Sequence, residues 1–97
     1  MLKKTSYNYR KGMNILKESA KIFPNGSGVY KFLDTEGSTL YVGKAKNLKK
    51  RISSYVNDMK QTNRIKALIS MTGSLEFIKT HTELDSFILE NNLIRDL

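Results

Sequence analysis

From Arg10 to Phe23 the apolar residues Met13, Leu16, Ala20 and Phe23 recur every three or four positions, a spacing that predicts a helix. Residues 1–9 ahead of it are polar and read as a frayed lead-in. Pro24-Asn25-Gly26-Ser27-Gly28 is a dense run of turn formers that ends the helix. The runs GVYKFLD and TLYVGKA then alternate around the short turn TEGS, which predicts a β-hairpin. In the first strand Tyr30 and Phe32 share one face, while Val29, Lys31 and Leu33 share the other. In the second, Leu40 and Val42 oppose Tyr41 and Gly43.

Asn47 is placed to cap a helix running to about Met59, with Leu48, Ile52, Tyr55, Val56 and Met59 along one stripe. Arg51 lies at the edge of that stripe, one turn before Tyr55. A short helix over Asn63–Met71 buries Ile65, Leu68 and Ile69, and Thr72-Gly73-Ser74 stops it. LEFIKTH alternates as a third strand, with Leu75, Phe77 and Lys79 opposite Glu76 and Ile78. Thr82-Glu83-Leu84-Asp85 has the form of a capping box, with Asp85 in place of glutamate. The helix it opens is predicted to reach the end of the chain, its core-facing arc made by Leu84, Phe87, Ile88, Ile94 and Leu97. Glu90 falls inside that arc, about 60° from Phe87. A carboxylate among core-facing residues is costly unless it is paired or binds a metal. Three strands without a βαβ repeat predict an α+β fold, a small sheet covered by helices.

Composition bounds what such a fold can do. A chain of 97 residues forms one domain, 1–97, divided into an N-terminal extension and helix (1–23) and a core (24–97). It has no cysteine, which excludes disulfides and thiolate metal sites, and its single histidine, His81, cannot build a histidine-rich zinc centre. No apolar run approaches a membrane span and the first twenty residues lack a signal sequence, so the chain reads as soluble and cytoplasmic. The net charge of +8 points to a polyanion such as nucleic acid, with an anionic membrane surface as the less common partner. Its distribution sharpens the point. Residues 1–21 carry six cations against Glu18, and residues 44–51 carry five cations and no acid. Residues 83–97 hold Glu83, Asp85, Glu90 and Asp96 against Arg95 alone. A purely electrostatic binder of nucleic acid gains nothing from that acidic end.

Three constellations follow. Lys44, Lys46, Lys49, Lys50 and Arg51 crowd a strand-to-helix corner and are either a solvated face or a phosphate site. Gly43 favours the second by allowing a ligand close to the backbone. The cations also sit where a helix dipole disfavours them, a cost that a bound phosphate at the helix N-terminus would offset. Tyr30, Tyr41 and Tyr55 are amphipathic core residues, or they include a phenol whose pKa is lowered by Lys44 and Arg51 until it can take a proton from water. Glu90 is a buried salt-bridge partner, or it holds a hydrated Mg²⁺ or Mn²⁺ against a phosphate. His81 and Glu83 read as structural or capping residues. Asn91 and Asn92 could bond to backbone or to DNA, and the sequence leaves both open.

Gly28-Val29-Tyr30 and Tyr41-Val42-Gly43, ten residues apart, resemble the signature of the GIY-YIG nuclease family, with two valines in place of isoleucines. The continuation from Lys44 through Tyr55, the run Thr80-His81-Thr82-Glu83 and the run Ile88 to Ile94 resemble its UvrC branch. The resemblance spans about Phe23 to Ile94. It implies a three-stranded antiparallel sheet flanked by helices and metal-dependent hydrolysis of a DNA phosphodiester, the incision 3′ to a lesion in nucleotide excision repair. Carried onto this chain, Tyr30 and Tyr41 are the motif tyrosines, Lys44 and Arg51 the motif cations and Tyr55 the helix tyrosine. Glu90 is the ligand of Mg²⁺ or Mn²⁺, and Lys46, Asn47, Lys49 and Lys50 contact DNA. Of the motif tyrosines, Tyr41 is favoured over Tyr30 as the base. Family members continue past the final leucine-isoleucine pair into a basic segment, a proline and a Tyr-Asn, whereas this chain reads Arg95-Asp96-Leu97. Either the chain is cut short of the family's C-terminal end or the natural protein lacks that asparagine. The resemblance implies that the UvrB partner and lesion recognition are served by regions outside it, and a monomer as a fragment. The competing readings are a GIY-YIG module that binds DNA without cutting it and a structure-selective nuclease outside excision repair.

Overall fold

The computed structural model describes residues 8–95. In chain order they form α1 (Tyr9–Ile22), β1 (Gly28–Leu33), β2 (Thr39–Ala45), α2 (Leu48–Asn57), α3 (Asn63–Met71), β3 (Ser74–Lys79) and α4 (Glu83–Arg95). Of the lead-in expected to fray, residues 1–7 lie outside the described residues. Asn8 is fixed: its side chain accepts from Lys11 N–H at 3.0 Å and its own N–H donates to Ser70 O at 2.8 Å. Phe23, expected inside α1, is its C-cap. No helix among the described residues is long and apolar enough to cross a membrane.

The sheet is antiparallel in the order β2-β1-β3. The hairpin turn is set by the Asp34 carboxylate, whose Oδ1 accepts from the N–H of both Glu36 and Ser38 at 2.9 Å. Gly37 takes the left-handed backbone, φ +87°, that the turn requires. Alternation along the strands divides the residues as the sequence predicts except at Leu40, expected on the face of Val42, which a register shift between Phe32 and Leu33 leaves packed against the Tyr30 and Phe32 cluster. Tyr30 and Phe32 join Leu16, Phe23, Ala45, Leu48, Ile52 and Ile69 in one buried cluster beneath α1, α2 and α3. Val29, Leu33 and Val42 lie on the opposite face, also buried, where α4 packs on β1 and β2. Each fully buried large side chain contributes about 1.5–3 kcal/mol.

Three boundaries differ from expectation. α2 stops at Asn57, because the Asp58 side chain accepts from Lys60 N–H at 2.9 Å and turns the chain outward, leaving Met59 92% exposed instead of in the stripe. β3 ends at Lys79, two residues early, with Thr80 N–H still donating to Ser27 O at 3.0 Å as the last link to β1. The third concerns the face of α4. Leu84, Phe87, Ile88 and Ile94, expected against the core, are between 47% and 65% exposed, while Ser86 is buried and Leu89, Glu90 and Leu93 are half-buried. Ser86, Leu89, Glu90 and Leu93 share one helical face. Glu90 thus faces the sheet, but in company different from that predicted. Leu97 lies outside the described residues.

Candidate active site

An open cleft of about 780 Å³ lies where β2 hands over to α2, walled by Lys44, Lys46, Lys50 and Arg51 on one side and Ser86 and Phe87 of α4 on the other. Lys44 Nζ sits 6.0 Å from the centre of the Phe87 ring, a cation–π contact. Lys46 Nζ lies 3.8 Å from Glu83 Oε2, both side chains largely in solvent, so the pair is weak. The ammonium of Lys50 and the guanidinium of Arg51 have no hydrogen bond or ion pair among the described residues. Their positive charge is free for a ligand.

The corner itself is closed by the backbone. Asn47 caps α2 through its side chain, which accepts from Lys50 N–H at 3.0 Å and donates to Asn25 Oδ1 at 3.1 Å. Leu48 N–H donates to Gly26 O at 2.9 Å and Lys49 N–H to Pro24 O at 3.1 Å. The first amides of α2 are therefore occupied, and an anion in the cleft meets side-chain cations, not the helix N-terminus that the sequence suggested. Lys49 is also diverted. Its ammonium donates to Ala20 O at 2.7 Å and Lys21 O at 3.2 Å, neutralising the carbonyl end of α1. It does not line the cleft.

Behind Arg51 stand the three tyrosines. Tyr55 follows Arg51 by one turn of α2, and its hydroxyl is hydrogen-bonded to that of Tyr30 at 2.9 Å. The Tyr30 ring centre lies 6.1 Å from that of Tyr55 and 6.2 Å from that of Tyr41. Gly43 makes this packing possible: a Cβ there would stand 2.5 Å from both Cζ and Oη of Tyr30. The space expected for a ligand at Gly43 is filled by a phenol. Burial pushes the Tyr30 phenol far above its ordinary range, and the bond to Tyr55 pushes the same way. Burial also raises Tyr55. The Arg51 charge opposes both shifts and loses to desolvation. Desolvation thus works against the expected cation-activated phenol at Tyr30 and Tyr55, both of which are shifted upward. Tyr41, 40% exposed, is the phenol of the three that water reaches freely.

Tyr41 and Glu90 lie outside the cleft lining, and Glu90 forms no hydrogen bond or ion pair among the described residues. Its position is nevertheless related to the cleft, since it follows Ser86 of the cleft wall by one turn on the same face of α4. β2 is an outer strand of the sheet, so Tyr41 from its α2 side and Lys44 from its α4 side flank one open edge. No cluster of three or more His, Asp or Glu side chains able to hold a metal occurs among the described residues. The donor set is then a single carboxylate, which suits a hydrated Mg²⁺ or Mn²⁺ that keeps most of its water and does not suit a zinc cage. Sequence reasoning passed over Ser54 and Ser86 of the cleft lining. The available signal was spacing: Ser54 follows Arg51 by three residues, and Ser86 precedes Glu90 by four.

This arrangement of sheet and helices is shared with a known class of domain. The fold matches the crystal structure of the GIY-YIG N-terminal endonuclease domain of UvrC from Thermotoga maritima, bound to its catalytic magnesium, with a TM-score of 0.75 and 36% identity over 84% of this chain and 88% of that one. A tyrosine-to-phenylalanine variant of the same domain, bound to the catalytic divalent cation, matches with a TM-score of 0.75 and 34% identity, covering 84% and 87%. The UvrABC system protein C of Bartonella henselae is 46% identical over 90 residues, 93% of this chain, and that of Bartonella quintana 44% identical over 90 residues, again 93%. The chain spans 14% and 13% of the length of those two relatives. Residues 26–97 match the UvrC-like GIY-YIG domain, and the chain belongs to that family.

Proposed function

We propose that this chain is the nuclease unit of a UvrC-type protein, which hydrolyses a DNA phosphodiester with a divalent cation and makes the incision 3′ to a lesion in nucleotide excision repair. Residues 24–97 form its core, the reaction takes place in the cytoplasm, and UvrB is the partner of regions outside these residues. The observation that carries the reading is the Arg51 guanidinium, which lines the cleft among three lysines without a hydrogen-bond or ion-pair partner among the described residues, while its charge acts on the buried Tyr55–Tyr30 pair.

Each side chain has a task in that reading. Arg51 donates to the phosphate oxygens as negative charge gathers on them, in a geometry that needs no rearrangement during reaction. Tyr41 orients the attacking water or takes its proton, with Lys44, three residues along β2, supplying the cation that a phenolate requires. Tyr30 and Tyr55 remain neutral and brace the wall behind Arg51. Lys46, Asn47 and Lys50 hold neighbouring phosphates, whereas Lys49, occupied by α1, is left out of this set. Glu90 is the residue that would hold Mg²⁺ or Mn²⁺, and the ion when bound stabilises charge at the leaving oxygen.

Nicking of supercoiled plasmid tests the reading. The chain is expected to nick with Mg²⁺ or Mn²⁺ and to stop on chelation. Arg51→Ala and Glu90→Ala should each cost about a hundredfold or more. Undiminished nicking by both variants would remove the assignment. DNA retarded in a gel without any metal-dependent nicking would support a binding module instead.

A further inference from the structure

We propose a second phosphate-binding site at the end of the sheet, where Lys79 and His81 grip the DNA backbone beyond the cleft. The proposal rests on the reading of the cleft as a site of DNA cleavage. A small cavity of about 380 Å³ opens there, lined by Gly26, Ser27, Lys79, Thr80 and His81. It lies at the same end of the sheet as the cleft. Ala45 of β2 and Lys79 of β3 both pair with Gly28 of β1, so the two strands end level with each other on either side of it. Two strand spacings separate them by about 10 Å, on the order of three phosphates at the axial rise of one DNA strand.

The floor of the cavity is already built. Thr80 N–H donates to Ser27 O at 3.0 Å, the Ser27 and Thr80 hydroxyls are 3.2 Å apart, and Thr80 Oγ1 donates to Thr82 O at 3.0 Å. Those bonds fix the loop and leave the ammonium of Lys79 and the imidazole of His81 as the groups available to a ligand. Neither has an ion pair or a side-chain hydrogen bond among the described residues. Lys31 provides the contrast, because it is paired across the sheet with Glu76 at 3.5 Å.

The Lys79 side chain lies against Gly26. A Cβ on Gly26 would stand 3.1 Å from its Cε and 3.7 Å from its Nζ, so the side chain lies across the turn that separates β3 from α2. Gly26 itself takes φ +112°, which other residues rarely adopt, and its carbonyl accepts from Leu48 N–H at 2.9 Å. The turn is thereby fastened to the same helix that carries Lys50 and Arg51. Glu83, four residues after Lys79, is turned toward Lys46. An ammonium and an imidazole with no base-reading side chain beside them recognise phosphodiester oxygens and carry no sequence preference.

Binding of a fluorescein-labelled DNA duplex, followed by anisotropy over a range of salt with EDTA present, tests the site. The double variant Lys79→Gln/His81→Gln should bind severalfold more weakly, with the slope of log affinity against log salt smaller by about one. Lys79→Arg should restore most of the affinity. In plasmid nicking the double variant should raise KM and leave kcat unchanged. Wild-type affinity and slope in the double variant, alongside weakened binding in Lys50→Gln, would overturn the second site and leave the cleft standing. Absence of DNA binding by the unsubstituted chain would overturn both.

Discussion

Tyr30 is the residue on which most of the site's architecture converges. It is 2% exposed, hydrogen-bonded to Tyr55 and fitted over Gly43. Its native phenol holds its proton more tightly than in the unfolded chain, where it titrates near pH 10. The folded state therefore binds more protons than the unfolded one above that pH, and stability falls as pH rises past about 10 at roughly 1.4 kcal/mol per pH unit for each such phenol. Absorbance at the phenolate band should show Tyr30 and Tyr55 ionising only as the chain unfolds, and Tyr30→Phe should remove part of the alkaline loss. At neutral pH Tyr30→Phe should lower stability by about 1 kcal/mol in urea unfolding. Tyr41→Phe should leave stability within about 0.5 kcal/mol and reduce nicking by about a hundredfold. Tyr30, Tyr41 and Gly43 were legible in the two motif triads, and Tyr55 in the run that follows them. The ionisation of the tyrosines was not, because neighbouring charge can be read from a sequence whereas burial is decided by α1 and α2 folding over the sheet.

At the scale of elements, Lys49 and Lys50 show how a helix divides adjacent charges between unrelated tasks. One turns back to the carbonyl end of α1 and the other faces the cleft. Lys49→Met should cost about 0.5–1 kcal/mol in thermal or urea unfolding and leave DNA affinity unchanged, while Lys50→Met should do the reverse. A charge run in a sequence cannot make that distinction, since it depends on which element lies alongside. α4 taught a similar lesson. Apolar residues are spread around it, so periodicity selected an arc containing Glu90, yet the face that packs is marked by Ser86, Leu89 and Leu93. Glu90 was placed on the inward face of α4 through the wrong neighbours. The hairpin, by contrast, was readable almost to the residue, because alternation and the turn residues Asp34 and Gly37 act locally.

For the molecule as a whole, the order of elements and the small covered sheet could be predicted from hydrophobic spacing alone. What joins the ends of the chain to the site could not. The Tyr9 hydroxyl donates to Gln61 Oε1 at 2.9 Å, and Gln61 Nε2 donates to Tyr55 O at 2.6 Å, tying the start of α1 to the last turn of α2. Gln61 is 8% exposed, so Gln61→Ala would leave a carbonyl and a phenol without partners and should cost about 1–3 kcal/mol in urea unfolding. Tyr9 sits in the segment expected to fray, and nothing in local composition marks it as an anchor. The tyrosine cluster gives the molecule one further property. The Tyr30 phenol, on which the Arg51 charge acts, also fills the interior, so substitutions in the core and at the cleft wall are coupled. Variants selected only for higher melting temperature around this ring should carry altered cleavage as an unselected passenger.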